Sequence, residues 1–313
     1  MNGLPADDPV MAWLLEPKEP SMRYLASRDL LAPRPRPRDL ARLQAAIPRG
    51  GWAARILAKQ RERTWWATNR TCYVPKFRST IWQLQVLADL GLTNRDERIA
   101  NAVEFWFALH YTPGDGGYSP RARTERGLRS HLCTTGNMVR SLIRLGYLDD
   151  GRVRSAIDWL VDEQKADGGW DCFGRKEGTL DAWEAMSAFA EIPPRRRSAG
   201  VRDAIGRGAE FFLSRRLHEE GPPYPPRYRL RYPPHYHYNI LVGLDFITAL
   251  GYGSDPRTGE ALEMLRGKRK ADGRWVLDRP PGDMVLETPQ EPSKMITFLA
   301  LRILRRSDGR PRN

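Results

Sequence analysis

The chain has 313 residues, 41% hydrophobic and 28% charged, which is the composition of a folded globular protein and not of a disordered or fibrous one. No apolar run reaches the roughly 18 residues a membrane span needs, and Asp7, Asp8 and Glu16 near the start are not expected of a secretory signal peptide. The net charge of +13, mostly arginine, invites an anionic partner: a small anionic substrate, a lipid surface or nucleic acid.

In chain order, residues 1–75 read as a helical N-terminal extension. One helix starts at Ser21, Pro33, Pro35 and Pro37 break it, and another runs from Asp39 to Ala46. From residue 76 the chain repeats itself. Gly116-Gly117-Tyr118 and Gly168-Gly169-Trp170 are followed by the related Gly273-Arg274-Trp275, with steps of 52 and 105 residues between the aromatics. A degenerate copy falls near Gly221-Pro222-Pro223-Tyr224. A second marker, Leu90-Gly91, Leu145-Gly146 and Leu250-Gly251, runs in phase.

Each unit reads as a helix ending at Leu-Gly, a polar turn, and a second helix ending at the glycine–aromatic phrase. The units are 76–130, 131–177, 178–233 and 234–290, and 291–306 reads as one more first helix. First helices are expected near 76, 132, 178, 236 and 291. Gly146 and Gly168 are expected in the left-handed region at helix ends. No strand pattern is present, and residues 307–313 form a basic tail. Hairpins of this length must stack to bury both faces. The expected fold is therefore all-α, an α/α toroid of about five hairpins spanning 76–306, with first helices inside and second helices outside. One rim would collect the free N–H groups of every inner helix.

Trp159-Leu160-x3-Gln164-x3-Gly168-x-Trp170 matches the QW motif of squalene and other triterpene cyclases. The hairpin unit is also that of the β subunits of protein prenyltransferases. The chain thus resembles the α/α-toroid superfamily of prenyltransferase and squalene-cyclase repeat proteins, including stand-alone bacterial and archaeal members of unassigned substrate. Proton-initiating cyclases of this group carry an Asp-x-Asp-Asp acid, which this sequence lacks; Leu148-Asp149-Asp150 is partial and lies on a turn at the opposite rim. Cyclisation started by another acid stays open. The prenyltransferases carry Gly-Arg-x5-Asp-x-Cys and a later His. Here Gly174-Arg175-x5-Asp181-x-Trp183 keeps the arginine and aspartate and puts a tryptophan at the cysteine position, with His237 near the later histidine. The resemblance implies a diphosphate clamp at Arg175, with Lys176 beside it, and catalytic roles for Asp181 and His237.

The residues themselves point the same way. Cys72, Cys133 and Cys172 each stand near the start of a first helix, and no signal precedes them, so reduced thiols in a cytoplasm are expected. Cys133 and Cys172 with His237 would make a zinc site, or the thiols are core residues. Lys76 and Arg78, with Arg175 and Lys176, would hold a diphosphate, or they are solvated rim charge. Phe77, Trp82, Trp183 and Tyr236 would line a cavity for a polyprenyl chain.

The expected function is a prenyltransferase- or terpene-cyclase-like protein binding an isoprenoid, as a prenyl diphosphate, in a central cavity. Prenyl transfer and cyclisation without the Asp-x-Asp-Asp acid are both compatible. Peripheral membrane contact is compatible and nucleic acid is disfavoured. The alternative is a non-catalytic helical-repeat scaffold that binds a protein or peptide.

Overall fold

The computed structural model describes residues 3–124, 127–278 and 286–308. Among these described residues there are thirteen α-helices and no strand beyond isolated bridges. Two compact units form. The first comprises residues 1–58, 216–234 and 239–313; the second comprises 59–215 and 235–238.

The chain opens in the first unit with α1 (Pro9–Leu14), α2 (Pro20–Asp29), α3 (Pro37–Ala46) and α4 (Gly51–Leu57). Prolines stand at the first turns of α1, α2 and α3, where the missing N–H costs nothing. The proline-rich stretch thus starts a helix as well as ending one.

The second unit is three hairpins: α5 (Thr80–Asp89) with α6 (Glu97–His110), α7 (Leu132–Leu145) with α8 (Gly151–Asp162), and α9 (Glu184–Glu191) with α10 (Ala199–Ser214). The first helices pack in sequence, α5 on α7 and α7 on α9. They are buried along almost their whole length, whereas α6, α8 and α10 keep an exposed face. The chain then returns to the first unit with α11 (Ile240–Ala249), α12 (Gly259–Gly267) and α13 (Lys294–Ser307). Here α13 packs against both α11 and α2. Arg302 joins the three: its guanidinium lies 2.8 Å from Asp245 on α11 and 3.6 Å from Asp29 on α2. Through the hairpins a buried first helix therefore alternates with a half-exposed second helix, in the manner of the α/α-toroid class.

First helices begin at 80, 132, 184, 240 and 294, up to six residues later than the sequence spacing suggests. Phe77, His235 and Gln290 have φ of 64°, 52° and 68°. A residue in that region cannot belong to a right-handed helix, so α5, α11 and α13 start only after it. Before α9, Thr179 donates its N–H to the Trp170 carbonyl and the chain turns until Trp183.

The repeated phrases have a common structural use. Gly91, Gly146 and Gly251 have φ between 92° and 100°, and Gly116, Gly168 and Gly273 between 82° and 88°. The first set stops α5, α7 and α11, whereas the second set stands in the loops that follow α6, α8 and α12. The aromatic that follows pins its loop. Trp170 Nε1 donates to the Leu160 carbonyl and Trp275 Nε1 to the Leu265 carbonyl, both at 2.8 Å. Gln164 donates to the carbonyls of Gly168 (2.8 Å) and Ala204 (2.9 Å), tying one hairpin to the next. The backbone N–H groups of Tyr118 and Trp275 donate to Thr135 and Thr297, each in the next first helix, at 3.0 Å. The polar turns supply helix caps: Asp96 and Asp150 accept from the N–H groups of Arg98 (3.0 Å) and Arg152 (2.8 Å). Asp149 pairs with Arg154 and Arg196, so the Asp149-Asp150 pair is committed to structure.

Candidate functional site

The second unit brings three loops together: 72–79 before α5, 171–183 before α9, and 235–238. Its aromatic side chains form one group. Phe77 lies 5.3 Å from Trp82, 4.8 Å from His235 and 6.1 Å from Tyr236 between ring centroids. Tyr73 stands 5.1 Å from Trp82, and the Trp82 Nε1–H donates to the Tyr73 carbonyl at 2.8 Å. Lys76 reaches the rim of this group, with Nζ 3.4 Å from the Tyr236 hydroxyl and 5.1 Å from its ring centroid.

Two titratable groups here are buried without hydrogen-bond partners. His235 is 1% exposed, and neither ring nitrogen has a partner. Burial pushes its pKa down to about 3, so the imidazole is neutral. Glu184, the first residue of α9, is fully buried, and neither carboxyl oxygen has a partner. Burial raises its pKa well above the usual carboxylate value, and the nearby Cys172 and Asp181 add to the rise. Tyr73 links the two ends of the site. Burial raises its hydroxyl, and Cys133, Tyr236, Glu184 and Cys172 all lie within electrostatic reach of it.

Beside Tyr73 a sulfur cluster forms. The ligating atoms of His131, Cys133 and Cys172 all lie within 4.8 Å of one another, and Cys133 Sγ is 3.2 Å from His131 Nδ1. His131 and Cys133 sit at the start of α7, and Cys172 follows the pinned Trp170. The proximity of Cys133, together with burial, raises the Cys172 thiol. Burial lowers His131, which also hydrogen-bonds the Cys172 backbone. These residues could hold a metal ion. His237 stands outside this convergent trio, against Tyr236 with ring centroids 4.5 Å apart.

The structure gathers Phe77, Trp82 and Tyr236 as the sequence grouped them. Trp183 is buried at 1% exposure just before α9, and its indole N–H has no partner. Asp181, Arg78, Arg175 and Lys176 are exposed. Asp171 accepts the N–H groups of Phe173 and Arg175, both at 2.7 Å, and so shapes the loop that carries Arg175. Among the described residues the Arg175 guanidinium makes no ion pair; it lies 5.7 Å from the exposed Phe173 ring. Cys72 is a core thiol, fully buried, and its backbone N–H donates to His110 at 2.8 Å.

Sequence reasoning missed Glu184, Tyr73 and the place of His131 beside the two thiols. An acid at a helix start reads as an ordinary dipole partner, and nothing local signals that Gly136 lets α7 press it out of water.

No family model and no curated protein matches the chain. Solved structures do. The chain is similar to type II terpene cyclase MstE from Scytonema in complex with geranylgeranyl dihydroxybenzoate, at 14% identity and a TM-score of 0.48, over 93% of this chain and 87% of that one. It is also similar to a protein from Actinoplanes, at 13% identity and a TM-score of 0.46, over 93% and 90%. No helix among the described residues is long and apolar enough to cross a membrane.

Proposed function

We propose that this chain is a terpene-cyclase-like enzyme that takes an isoprenoid against the aromatic group of its second unit and rearranges it by proton transfer. The observation that carries this reading is the Glu184 carboxyl, fully buried, without a partner, and within electrostatic reach of Tyr73. A carboxyl kept protonated by its surroundings is a proton donor at neutral pH. It would give its proton to a terminal alkene carbon, and a neighbouring double bond would attack the resulting tertiary cation to close a ring. Phe77, Trp82, Tyr73 and Tyr236 offer π faces that stabilise such cations. His235, neutral and unpartnered, would accept the proton that the final cation sheds. The net change is an isomerisation, so no oxidant or reductant is consumed.

Within this reading Arg175, Lys176, Lys76 and Arg78 would hold the diphosphate of a prenyl substrate, with Asp181 and His237 alongside. Prenyl transfer is the other reaction compatible with such anchoring. A scaffold that only bound a protein or peptide would leave two buried, partnerless titratable groups without a use.

The test is native mass spectrometry of the full chain with geranyl, farnesyl and geranylgeranyl diphosphates, followed by product analysis. Binding with formation of a cyclic isomer supports the reading. No binding of any member of the series would sink it.

A further inference from the structure

We infer that His131, Cys133 and Cys172 form a zinc site with one exchangeable position. Their ligand atoms fall within 4.8 Å of one another. A tetrahedral zinc ion, with zinc–sulfur distances of about 2.3 Å and zinc–nitrogen of about 2.0 Å, needs ligand separations of about 3.3–3.8 Å. A small side-chain contraction therefore completes the set.

Three further observations favour a cation there. The first is an unsatisfied acceptor beside the thiols: Asp171 Oδ1 is buried and accepts no hydrogen bond. Asp171 lies within electrostatic reach of Cys172. Buried acceptors without donors are costly unless a cation answers them.

The second is support of the ligands by rigid backbone. The His131 N–H donates to the Tyr118 carbonyl at 2.9 Å, and the ring hydrogen-bonds the Cys172 backbone. Such a second contact fixes how a ligating imidazole points. Cys133 lies in the first turn of α7, and Cys172 is two residues past a tryptophan anchored to Leu160.

The third is the donor chemistry. Two thiols and an imidazole select zinc over the oxygen-seeking magnesium and calcium. The trio is distinct from the motif that carries the resemblance, where Trp183 holds the expected cysteine's place and Asp181 is exposed. With three protein ligands the ion keeps a fourth position for water or a substrate atom.

The site stands without any isoprenoid, so its test uses none. The reduced full chain is titrated with cobalt(II) and then zinc(II). The expected result is one ion per chain, a thiolate-to-cobalt charge-transfer band that zinc abolishes, and proton release on binding. Zinc should also slow the alkylation of Cys133 and Cys172 and leave that of the buried Cys72 unchanged, as mapped by peptide mass spectrometry; this needs no variant. Cys133→Ser and Cys172→Ser should each weaken binding beyond the roughly 10- to 100-fold typical of a supporting residue, while Cys72→Ser should leave the band intact. The inference is overturned if the folded, reduced wild-type chain gives no charge-transfer band. It is equally overturned if Cys172→Ser keeps the full band, or if zinc leaves alkylation of both thiols unchanged.

Discussion

Gly136 of α7 and Glu184 of α9 pack so closely that a methyl group on Gly136 would lie 2.6 Å from the Glu184 Cβ. The neighbouring atoms are backbone and Cβ, which cannot swing aside. Gly136→Ala should therefore push the two helices apart and cost about 1–3 kcal/mol. Urea unfolding measures this, and a variant as stable as wild type would contradict the close approach.

Glu184→Gln separates the acid from its shape. The carboxyl has a folded pKa raised above its ordinary 4.5. Its contribution to stability is thus fully present below pH 4.5 and is lost as pH rises toward the folded value. The glutamine variant has no such titration, so its stability relative to wild type should grow as pH rises above 4.5. In the proposed reaction the variant should bind isoprenoid and fail to turn it over. Turnover at the wild-type rate would remove Glu184 from the mechanism without touching the binding reading.

His235 has the opposite sign. Its folded pKa is depressed to about 3 from 6.5, so the unfolded chain takes a proton that the folded chain refuses. Stability should fall as pH drops from 6.5 toward 3, by on the order of 1.4 kcal/mol per pH unit at the steepest. His235→Phe should flatten this limb of the stability profile. An unchanged acid limb would show that the imidazole is not buried neutral.

Gly169→Val should break the loop that Trp170 pins. A Cβ on Gly169 would meet the Phe211 ring at 2.5 Å, and the Gly169 backbone is so close to Gly178 that a Cβ there would lie 2.5 Å from the Gly169 Cα. The cost should reach at least about 1–3 kcal/mol from overpacking alone. A melting curve like that of wild type would count against the loop's role.

Arg175→Ala tests the anion site. Because the guanidinium makes no ion pair among the described residues, its loss should leave stability within about 0.5 kcal/mol of wild type. Prenyl-diphosphate affinity should fall roughly 10- to 150-fold, the worth of one charge-assisted partner at about 1.5–3 kcal/mol. Isothermal titration with the diphosphate and with the matching prenyl alcohol separates charge from chain. Equal affinity in variant and wild type would leave Arg175 as solvated rim charge.

The hairpins were legible because their signals are local. Leu145-Gly146 and Gly168-Gly169-Trp170 carry their backbone geometry with them, whatever surrounds them. The aromatic set Phe77, Trp82 and Tyr236 was legible because the repeat puts each at the start of a first helix. The sulfur cluster was half legible: the phase of the repeat brought Cys133 near Cys172, but His131 rather than His237 completes the trio. That choice depends on how the helix start turns a side chain, which the spacing does not encode. Glu184 was illegible because burial of a carboxyl is decided by a glycine 48 residues away.

The make-up of the first unit has a consequence for synthesis. Met22, Leu25 and Leu30 are buried in that unit, where α2 packs against α13, whose sequence begins at Lys294. At about 5–20 residues per second, the ribosome delivers α13 roughly 13–53 s after α2. Through that interval α2 can pack on α1, α3 and α4, but the face it turns to α13 stays uncovered, while the contiguous stretch 59–215 can already collapse on itself. The nascent chain thus carries one unfinished apolar face, and its yield in a cell should depend on a holdase that masks that face of α2 until α13 arrives.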